Sequence, residues 1–460
     1  MDIKTENITA ETINLKMESD VLKSIIYTSA KGKLWIVLLL LFLIAGVIAY
    51  SIQLKNGLIV TSMRNYVSWG LYIAMFIFFI GISHVGALMS SILRLTGAEW
   101  RFPITRMAEA ITFSSLLFAG IMPILDMGRP DRILNIFFHG RIQSPILWDV
   151  IAIATYFVGS TIYLYLPMIP DIAMLRDKLT HASRWRKKFY RALAVGWKGN
   201  DVQKQLLEKC IKIMTAIILP VAITVHTVVA WLFAMTLRTG WNSTILGPYF
   251  VSAAIMSGAA AILIAMALFR KAYHLEQYIT IVHFKNLSLL LFVLTLIYAY
   301  FNINEYGVPA YKMEKAESEY LNELFYGVHA PLYWSVQIFG LLVPLILLAL
   351  KRIRNSISWI VFASSLIVVG AMVKRYVIVV PTMLHPFVPI QNAAPGYGSY
   401  FPSVIEWLVT IGAVAGFMLV YTVFSKLFPI ITLWETADAI KNKGTESVGV
   451  ALQIPSTISN

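Results

Sequence analysis

The 460-residue sequence is 58% hydrophobic and only 13% charged, with a mean hydropathy of +0.71. This composition excludes a soluble globular protein, and repeated apolar runs of about 20 residues predict an all-α polytopic membrane protein rather than a β-barrel. The net charge of +14 does not indicate nucleic acid, because most lysines and arginines lie between the apolar runs. The single cysteine, Cys210, excludes an internal disulfide and a cysteine-ligated iron–sulfur cluster in this chain.

Ten apolar stretches are each long enough to cross about 30 Å of hydrocarbon. The predicted spans are residues 34–52, 66–93, 104–126, 147–168, 211–238, 249–271, 275–302, 330–351, 357–380 and 403–427. They predict a ten-helix membrane domain over residues 34–428, preceded by a polar tail (1–33) and followed by another (429–460). The first tail is too long before the first apolar run to be a signal peptide.

The charged loops predict the orientation in the membrane. Residues 169–210 carry ten lysines and arginines, whereas residues 305–323 read as an acidic loop and residues 381–402 contain no lysine or arginine. Because positive loops stay in the cytoplasm, we expect a multi-pass protein of the inner (cytoplasmic) membrane with both termini in the cytoplasm. The proline- and glycine-rich 381–402 stretch is expected to be a non-helical docking surface on the outer side.

A weak internal repeat relates the two halves of the chain. A shift of about 177 residues aligns Tyr72 with Tyr249 and Arg94 with Lys271. We therefore expect two four-helix bundles, spans 2–5 (residues 66–238) and spans 6–9 (residues 249–380), with spans 1 and 10 peripheral. Chance matches between apolar segments are the alternative.

Ionisable side chains inside the spans are the candidates for chemistry, because charges are costly in hydrocarbon. His84 lies in GISHVG of span 2 and can serve as a hydrogen-bond and proton partner of a quinone. The alternative is a histidine that only packs. Arg106 and Glu109 lie three residues apart on span 3, so we expect them to pair, as a structural ion pair, as part of a proton path, or as both.

Charged residues also cluster between spans 3 and 4, in LDMGRPDR and GRIQSPILWD. The cluster comprises Asp126, Arg129, Asp131, Arg132, Arg141 and Asp149. Gly-Arg-Pro and Ser-Pro fix turns, so we expect a shaped loop that contacts an extrinsic subunit or forms the mouth of a lipid-accessible pocket. A network of structural salt bridges is the alternative.

The second half also carries polar residues within its predicted spans. They are His226 on span 5, His283 and Lys285 on span 7, and Lys374 and Arg375 on span 9. Snorkelling to an interface is the alternative for Lys374 and Arg375. Two mid-membrane histidines raise haem b as a ligand, which we disfavour because no two histidines are expected to face each other at matching depth.

Several motifs in fixed order resemble a known family of membrane proteins. They are GISHVGALMSSILRL, EWRFPITRMAEAIT, LDMGRP, QSPILWD, YLYLPMIPD, HLEQYITIVHFKN and KRYVIVVPTMLHPF. They are similar to the NrfD-like membrane subunits of polysulfide reductase, and most similar to the ten-span branch of alternative complex III and related quinone reductase complexes. The resemblance covers nearly all of residues 60–435.

The resemblance implies a subunit that holds neither haem nor an iron–sulfur cluster and that binds a quinone or quinol, either menaquinone or ubiquinone. It implies electron exchange with a periplasmic iron–sulfur subunit, and a further redox subunit that carries molybdopterin or is a multihaem cytochrome. Such a complex can contain a second NrfD-like membrane subunit. Membrane lipid is an expected partner, nucleic acid is not, and proton translocation is a further implied property.

The resemblance also implies site residues in this chain. We assign quinone binding to His84, Asp126, Arg141 and Asp149, together with Trp69 and Tyr72 at the start of span 2, and catalysis to His84, Arg106 and Glu109. The predicted proton path comprises Arg106, Glu109, His226, His283, Lys374 and Arg375. Relatives tend to carry an acid where this chain has Lys285 and Lys374, which weakens the case for a path through the second bundle.

The favoured function is oxidation of quinol, or reduction of quinone, within a respiratory electron-transfer complex. The buried ionisable residues favour it, and quinone chemistry supplies the redox step. A secondary transporter of a small anion is the first alternative, although no pair of helices broken at matching places is visible. A passive membrane anchor for extrinsic redox subunits is the second, and it leaves the buried charges unexplained.

Overall fold

The computed structural model describes residues 19, 21–179, 183–236, 238–386 and 398–436. Ten helices in this part of the chain are long and apolar enough to cross a membrane, which confirms the predicted all-α polytopic fold. They are α1 (Ala30–Asn56), α2 (Leu71–Leu95), α3 (Phe102–Asp126), α4 (Pro145–Lys178), α5 (Asp201–Ala234), α6 (Leu246–Ala272), α7 (Ile281–Lys312), α8 (Ala330–Ala349), α9 (Ile357–Leu384) and α10 (Val404–Leu427). Most of the predicted first tail (1–18 and 20), the middle of the 381–402 stretch (387–397) and residues 437–460 lie outside the described residues.

Two spans begin five or six residues later than predicted, because hydropathy does not detect helix caps. The span predicted from residue 275 begins at Ile281, where Thr280 and His283 form a reciprocal capping box. The span predicted from residue 66 begins at Leu71, whose backbone N–H donates to the Tyr400 hydroxyl at 2.9 Å. Gly70 is required there, since a Cβ atom at this position would overlap the Tyr400 ring and hydroxyl.

The predicted acidic loop over residues 305–323 is helical instead. Helix α7 continues through Glu305 to Lys312, Met313 turns the chain in a left-handed conformation (φ 53°), and a second helix covers Lys315–Phe325. The hydropathy of this segment is low because the chain leaves the apolar region, not because the helix ends.

Helix α2 is the centre of the molecule. All residues in its most apolar 18-residue stretch are buried, and it contacts α3, α5, α6 and α9. Small residues permit this close packing: a Cβ atom on Gly86 would overlap Thr112 Oγ1 and the Ala108 carbonyl of α3. The Gly86 N–H donates to Thr112 Oγ1 at 2.8 Å, and that hydroxyl donates to the Ser83 carbonyl at 2.5 Å.

Replacing this glycine tests how far the fold depends on the approach of α2 to α3. We expect Gly86→Val to lower the stability of the purified protein by about 1–3 kcal/mol, because the side chain must push the α3 backbone away. Thermal unfolding in detergent measures the change. Gly120→Val is the control, since a Cβ built at Gly120 has no atom of another described helix within 4 Å. Equal losses in the two variants would show that helix propensity, not packing, is responsible.

Eight of these helices form two rings of four: the first ring is α2–α5 and the second ring is α6–α9. Contacts run from α2 to α3, α4, α5 and back to α2, and from α6 to α7, α8, α9 and back to α6. Helices α1 and α10 pack against each other where Gly46 meets Gly412, and α10 also contacts α3. These contacts are compatible with two four-helix bundles and a peripheral pair.

The two ends of the helices differ in charge. The basic end is defined here by Arg94, Arg270 and Lys351 at helix termini, and the acidic end by Asp126, Glu305 and Glu406. The predicted C-terminal tail begins with a segment, residues 429–436, that packs against the basic end of α2–α4. Two contacts hold this segment. The Thr432 hydroxyl donates to the Phe102 carbonyl at 2.7 Å, and Glu435 forms a buried ion pair with Arg94 at 2.8 Å.

Candidate functional site

His84 lies at the middle of α2 and is fully buried. Its Nε2 is 2.8 Å from the Ala222 carbonyl of α5, and its Nδ1 is 2.6 Å from the Ile80 carbonyl of its own helix. A neutral imidazole has one N–H and can donate to only one of these carbonyls, so only the imidazolium form satisfies both. In this arrangement His84 links α2 to α5, and both ring nitrogens are already engaged.

A second histidine faces His84 across the first ring. The ring centroids of His84 and His226 are 4.5 Å apart, so the expectation that no two histidines face each other at matching depth was wrong. Edge contact at this distance leaves no room for a porphyrin between the imidazoles, and the pair therefore does not fit haem ligation. Neither nitrogen of His226 has a hydrogen-bond partner among the described residues.

Arg375 of α9 approaches the same centre. Its guanidinium carbon lies 5.1 Å from the Phe250 ring centroid, and Phe250 also contacts His226 at 5.9 Å. Arg375 and Lys374 are 2% and 1% exposed, which rules out snorkelling to an interface. The predicted residues His84, His226 and Arg375 are thus grouped at the junction of the two rings.

Arg106 and Glu109 do not pair with each other, contrary to the prediction. Arg106 Nη1 binds Asp171 Oδ2 of α4 at 2.5 Å, and Nη2 donates to the Pro167 carbonyl at 3.0 Å. Glu109 instead accepts from the Ser90 hydroxyl at 2.8 Å. Asp171 also accepts the backbone N–H groups of Leu433 and Trp434, so the Arg106–Asp171 pair holds the segment 429–436 in place.

One face of α4 forms a polar column through the first ring. Its buried polar side chains are Asp149, Tyr156, Ser160, Tyr163 and Asp171, at helical spacing. The Tyr156 ring lies 5.1 Å from His84, and the Tyr163 hydroxyl is 3.0 Å from the Ser90 hydroxyl that binds Glu109. The sequence interpretation missed these tyrosines and Asp171, although their spacing on one helix face was visible.

The three charged residues predicted for the quinone site, Asp126, Arg141 and Asp149, lie in two different environments at the acidic end. Asp149 is 6% exposed, and its Oδ1 has no hydrogen-bond partner in the part of the chain that the structure describes. Asp126 Oδ1 is likewise buried without a partner there, at the end of α3. Arg141 is exposed and forms no ion pair within the described ranges.

Trp69 and Tyr72 lie near one another in sequence but have different surroundings. Trp69 stacks on Trp241 with ring centroids 6.1 Å apart and meets the edge of Phe233 at 5.6 Å. Tyr72 donates to Gln53 Oε1 at 2.7 Å, and Gln53 Nε2 donates to the Leu125 carbonyl beside Asp126 at 2.8 Å. Tyr72 therefore belongs with the end of α3, whereas Trp69 belongs to an aromatic cluster.

Among the described residues, the predicted charged network of the outer loop is reduced to one ion pair. Arg129 and Asp131 bind each other at 2.8 Å, and both are more than half exposed. Exposed pairs of this kind contribute little to stability. The buried carboxyls of Asp126 and Asp149 do not take part.

The second ring has polar contacts at its acidic end. Lys374 Nζ donates to the Tyr306 hydroxyl at 2.7 Å, and Glu305 Oε2 is buried without a partner among the described residues. Glu305 on α7 therefore supplies an acid in this ring, which the sequence motifs around Lys374 did not reveal. His283 is a capping residue at the basic end rather than a mid-membrane group, and Lys285 is exposed, so neither contributes to the polar interior.

Comparison with known proteins gives a consistent match. Residues 59–386 match the family described as "Polysulphide reductase, NrfD". A protein of Halobacterium salinarum described as a membrane subunit of dimethyl sulfoxide reductase is 26% identical over 84% of this chain and 88% of its own. A selenate reductase subunit of Mesobacillus selenatarsenatis is 24% identical over 91% of this chain and 99% of its own.

The description of a third relative includes a quinol. The Hdr-like menaquinol oxidoreductase integral membrane subunit of Archaeoglobus fulgidus is 24% identical over 84% of this chain and 90% of its own length. The family match covers more than half of the sequence and includes α2 through α9, the helices that hold His84, Arg106 and Asp149. The chain is a member of the polysulphide reductase NrfD family of integral membrane proteins.

Proposed function

We propose that this chain is the quinone-reactive membrane subunit of a respiratory electron-transfer complex, with Asp149 as the group that receives a proton from quinol. One observation carries the proposal: Asp149 heads the polar face of α4 at the acidic end, and its buried Oδ1 has no hydrogen-bond partner among the described residues. Family membership and the menaquinol named for one relative support it.

The Asp149 carboxyl is suited to bind a hydroquinone head group. A hydroquinone carries two O–H donors, and the Oδ1 atom of Asp149 is an acceptor that receives no hydrogen bond from the described residues. A buried charge with no partner is costly, so a ligand that donates to it, or a proton, stabilises this position. Quinol supplies two electrons and two protons when it is oxidised; the chain must hold the head group and take up the protons.

Along the polar face of α4, further polar side chains follow Asp149 toward the centre of the membrane. Tyr156 is two helical turns farther along and contacts the His84 ring, and its hydroxyl donates to the Ser83 carbonyl at 3.1 Å. His84 changes its two carbonyl contacts when it gains or loses a proton, because the neutral ring donates only once. We propose that Asp149 accepts the proton and that His84 is the second titratable group of the site.

The electrons must leave for another protein, because one cysteine cannot ligate an iron–sulfur cluster. We propose a periplasmic iron–sulfur subunit as the acceptor, with a molybdopterin or multihaem subunit beyond it. The acidic end would then face the periplasm and the basic end the cytoplasm, in the inner membrane of the cell.

The direct test is quinol-dependent reduction of the partner by the purified complex. We expect Asp149→Asn to lower turnover by about a hundredfold or more, in the range of a lost general base, while its unfolding temperature stays equal or rises because the buried carboxylate is gone. Asp131→Asn, in the exposed Arg129 pair, is the matched control and should keep wild-type turnover. Wild-type turnover in an assembled Asp149→Asn complex would contradict the assignment.

The transporter alternative has weaker support. Two of the buried cations that would attract an anion already have partners, since Arg106 is paired with Asp171 and Lys374 donates to the Tyr306 hydroxyl. Solute uptake by the chain alone in liposomes, without a redox partner, would favour it.

A further inference from the structure

A short helix at the basic end carries an unusual charge pattern. Residues Arg184–Leu193 form this helix between α4 and α5. Four of its basic side chains, Arg184, Lys187, Lys188 and Arg191, are separated by three, one and three positions, which places them on one helix face. All four are exposed, and none forms a hydrogen bond through its side chain or an ion pair within the ranges the structure describes.

The opposite face fixes this helix to the membrane domain. The Tyr190 hydroxyl donates to the Leu427 carbonyl at 2.8 Å, and Arg186 Nη2 donates to the Lys426 carbonyl at 2.8 Å. The Tyr165 hydroxyl of α4 binds the Leu193 carbonyl at 2.5 Å. Since Lys426 and Leu427 are the last residues of α10, the helix lies where a spanning helix leaves the apolar region.

An aromatic side chain accompanies the basic face. Trp185 is 62% exposed, and its ring stacks on Phe189 with centroids 5.3 Å apart. Tryptophan prefers the boundary between headgroups and acyl chains, because its ring is apolar and its N–H is polar. Basic side chains beside an exposed tryptophan are typical of helices that lie in the membrane interface.

Orientation of the chain during insertion does not require this arrangement. Positive charge sets topology by its amount and its nearness to the spans, and a loop without structure serves that purpose. Here the charges lie together on one face of a docked helix, and no acidic side chain of the described residues pairs with them. Such a face is complementary to clustered phosphate groups.

We propose that the basic face of the Arg184–Leu193 helix is a binding site for the phosphate headgroups of anionic phospholipids. Trp185 lies at the level of the acyl boundary, and Arg184, Lys187, Lys188 and Arg191 bind the phosphates. The anchor through Tyr190 and Arg186 fixes the helix on the membrane domain, so its basic face is already presented in one orientation before lipid binds. The proposal is independent of the proposed quinone chemistry.

The test compares two variants with the same change in charge. The first replaces all four basic residues of the face (R184Q/K187Q/K188Q/R191Q). The second replaces four exposed lysines that follow in the same segment (K198Q/K204Q/K209Q/K212Q). Each purified protein is incorporated in phosphatidylcholine nanodiscs that contain increasing phosphatidylglycerol, and the phosphatidylglycerol retained is counted by native mass spectrometry.

We expect the first variant to need about tenfold more phosphatidylglycerol for half-occupancy, since each basic residue adds to the attraction. The second variant should bind like the wild type. Equal losses in the two variants would show bulk charge only, and no loss in either would show that the lipid binds elsewhere; both results overturn the proposal. If the fourfold variant does not fold, the K187Q/K188Q pair, whose side chains are fully on the exposed face, gives the same comparison against K204Q/K209Q.

Discussion

Replacing Arg106 by leucine should lower the stability of the protein by about 3–5 kcal/mol, because it leaves the Asp171 carboxylate buried without its ion-pair partner. Arg106 is fully buried, and Asp171 is 1% exposed. The same pair holds the segment 429–436, so the basic end of α2–α4 should loosen as well. Thermal unfolding of the purified protein, with limited proteolysis at the basic end, measures both effects.

The double variant Arg106→Leu/Asp171→Leu distinguishes a structural pair from a functional one. Buried pairs replaced together by apolar residues often cost little, so the double variant should recover much of the lost stability. Arg129→Leu is the control, since its pair with Asp131 is exposed, and no measurable change is expected. If Arg106→Leu instead kept wild-type stability and lost only quinol-dependent turnover, Arg106 would belong to a proton path, as the sequence suggested.

Replacing His84 by glutamine should lower quinol-dependent turnover by about a hundredfold, because an amide can donate a hydrogen bond but cannot carry a proton at neutral pH. The amide nitrogen can still donate to the Ala222 carbonyl, which the His84 Nε2 contacts at 2.8 Å. The link between α2 and α5 should therefore survive. Turnover and unfolding temperature must be measured on the same preparation.

His84→Ala is the companion variant. It removes both carbonyl contacts and leaves a cavity beside Tyr156 and His226, so we expect it to lose stability as well as turnover. Wild-type turnover in His84→Gln, with loss of stability in His84→Ala, would leave His84 as a packing residue. That was the alternative interpretation of the sequence.

The ten spans were predictable because a membrane requires about 20 consecutive apolar residues, and this requirement is visible in any single sequence. Their ends were less predictable. Helix α7 begins where Thr280 and His283 cap each other, and α2 begins where its first N–H meets Tyr400, more than 300 positions away in the chain. Caps and distant partners leave little trace in hydropathy.

The cost of a charge in hydrocarbon identified His84, Arg106 and Glu109, and all three are buried. Asp149 was assigned through the charged loop and the family resemblance, and it is buried as well. Their partners were not found. Glu109 lies three residues after Arg106 and was predicted to pair with it. The Arg106 guanidinium instead binds Asp171 on α4. His283 was expected within the membrane and instead caps a helix, because the predicted span began six residues too early.

The sequence by itself determined that this chain is a ten-helix membrane protein with polar groups at its centre, since both properties follow from the free energy of placing each residue type in hydrocarbon. Only the tertiary structure decided which polar groups meet. Helix packing sets those contacts: it brings His84 to His226, Arg106 to Asp171 and Tyr163 to Ser90, and it leaves Asp149 without a partner within the described chain. A transfer free energy depends on one residue at a time, whereas a hydrogen bond depends on where two helices place their side chains.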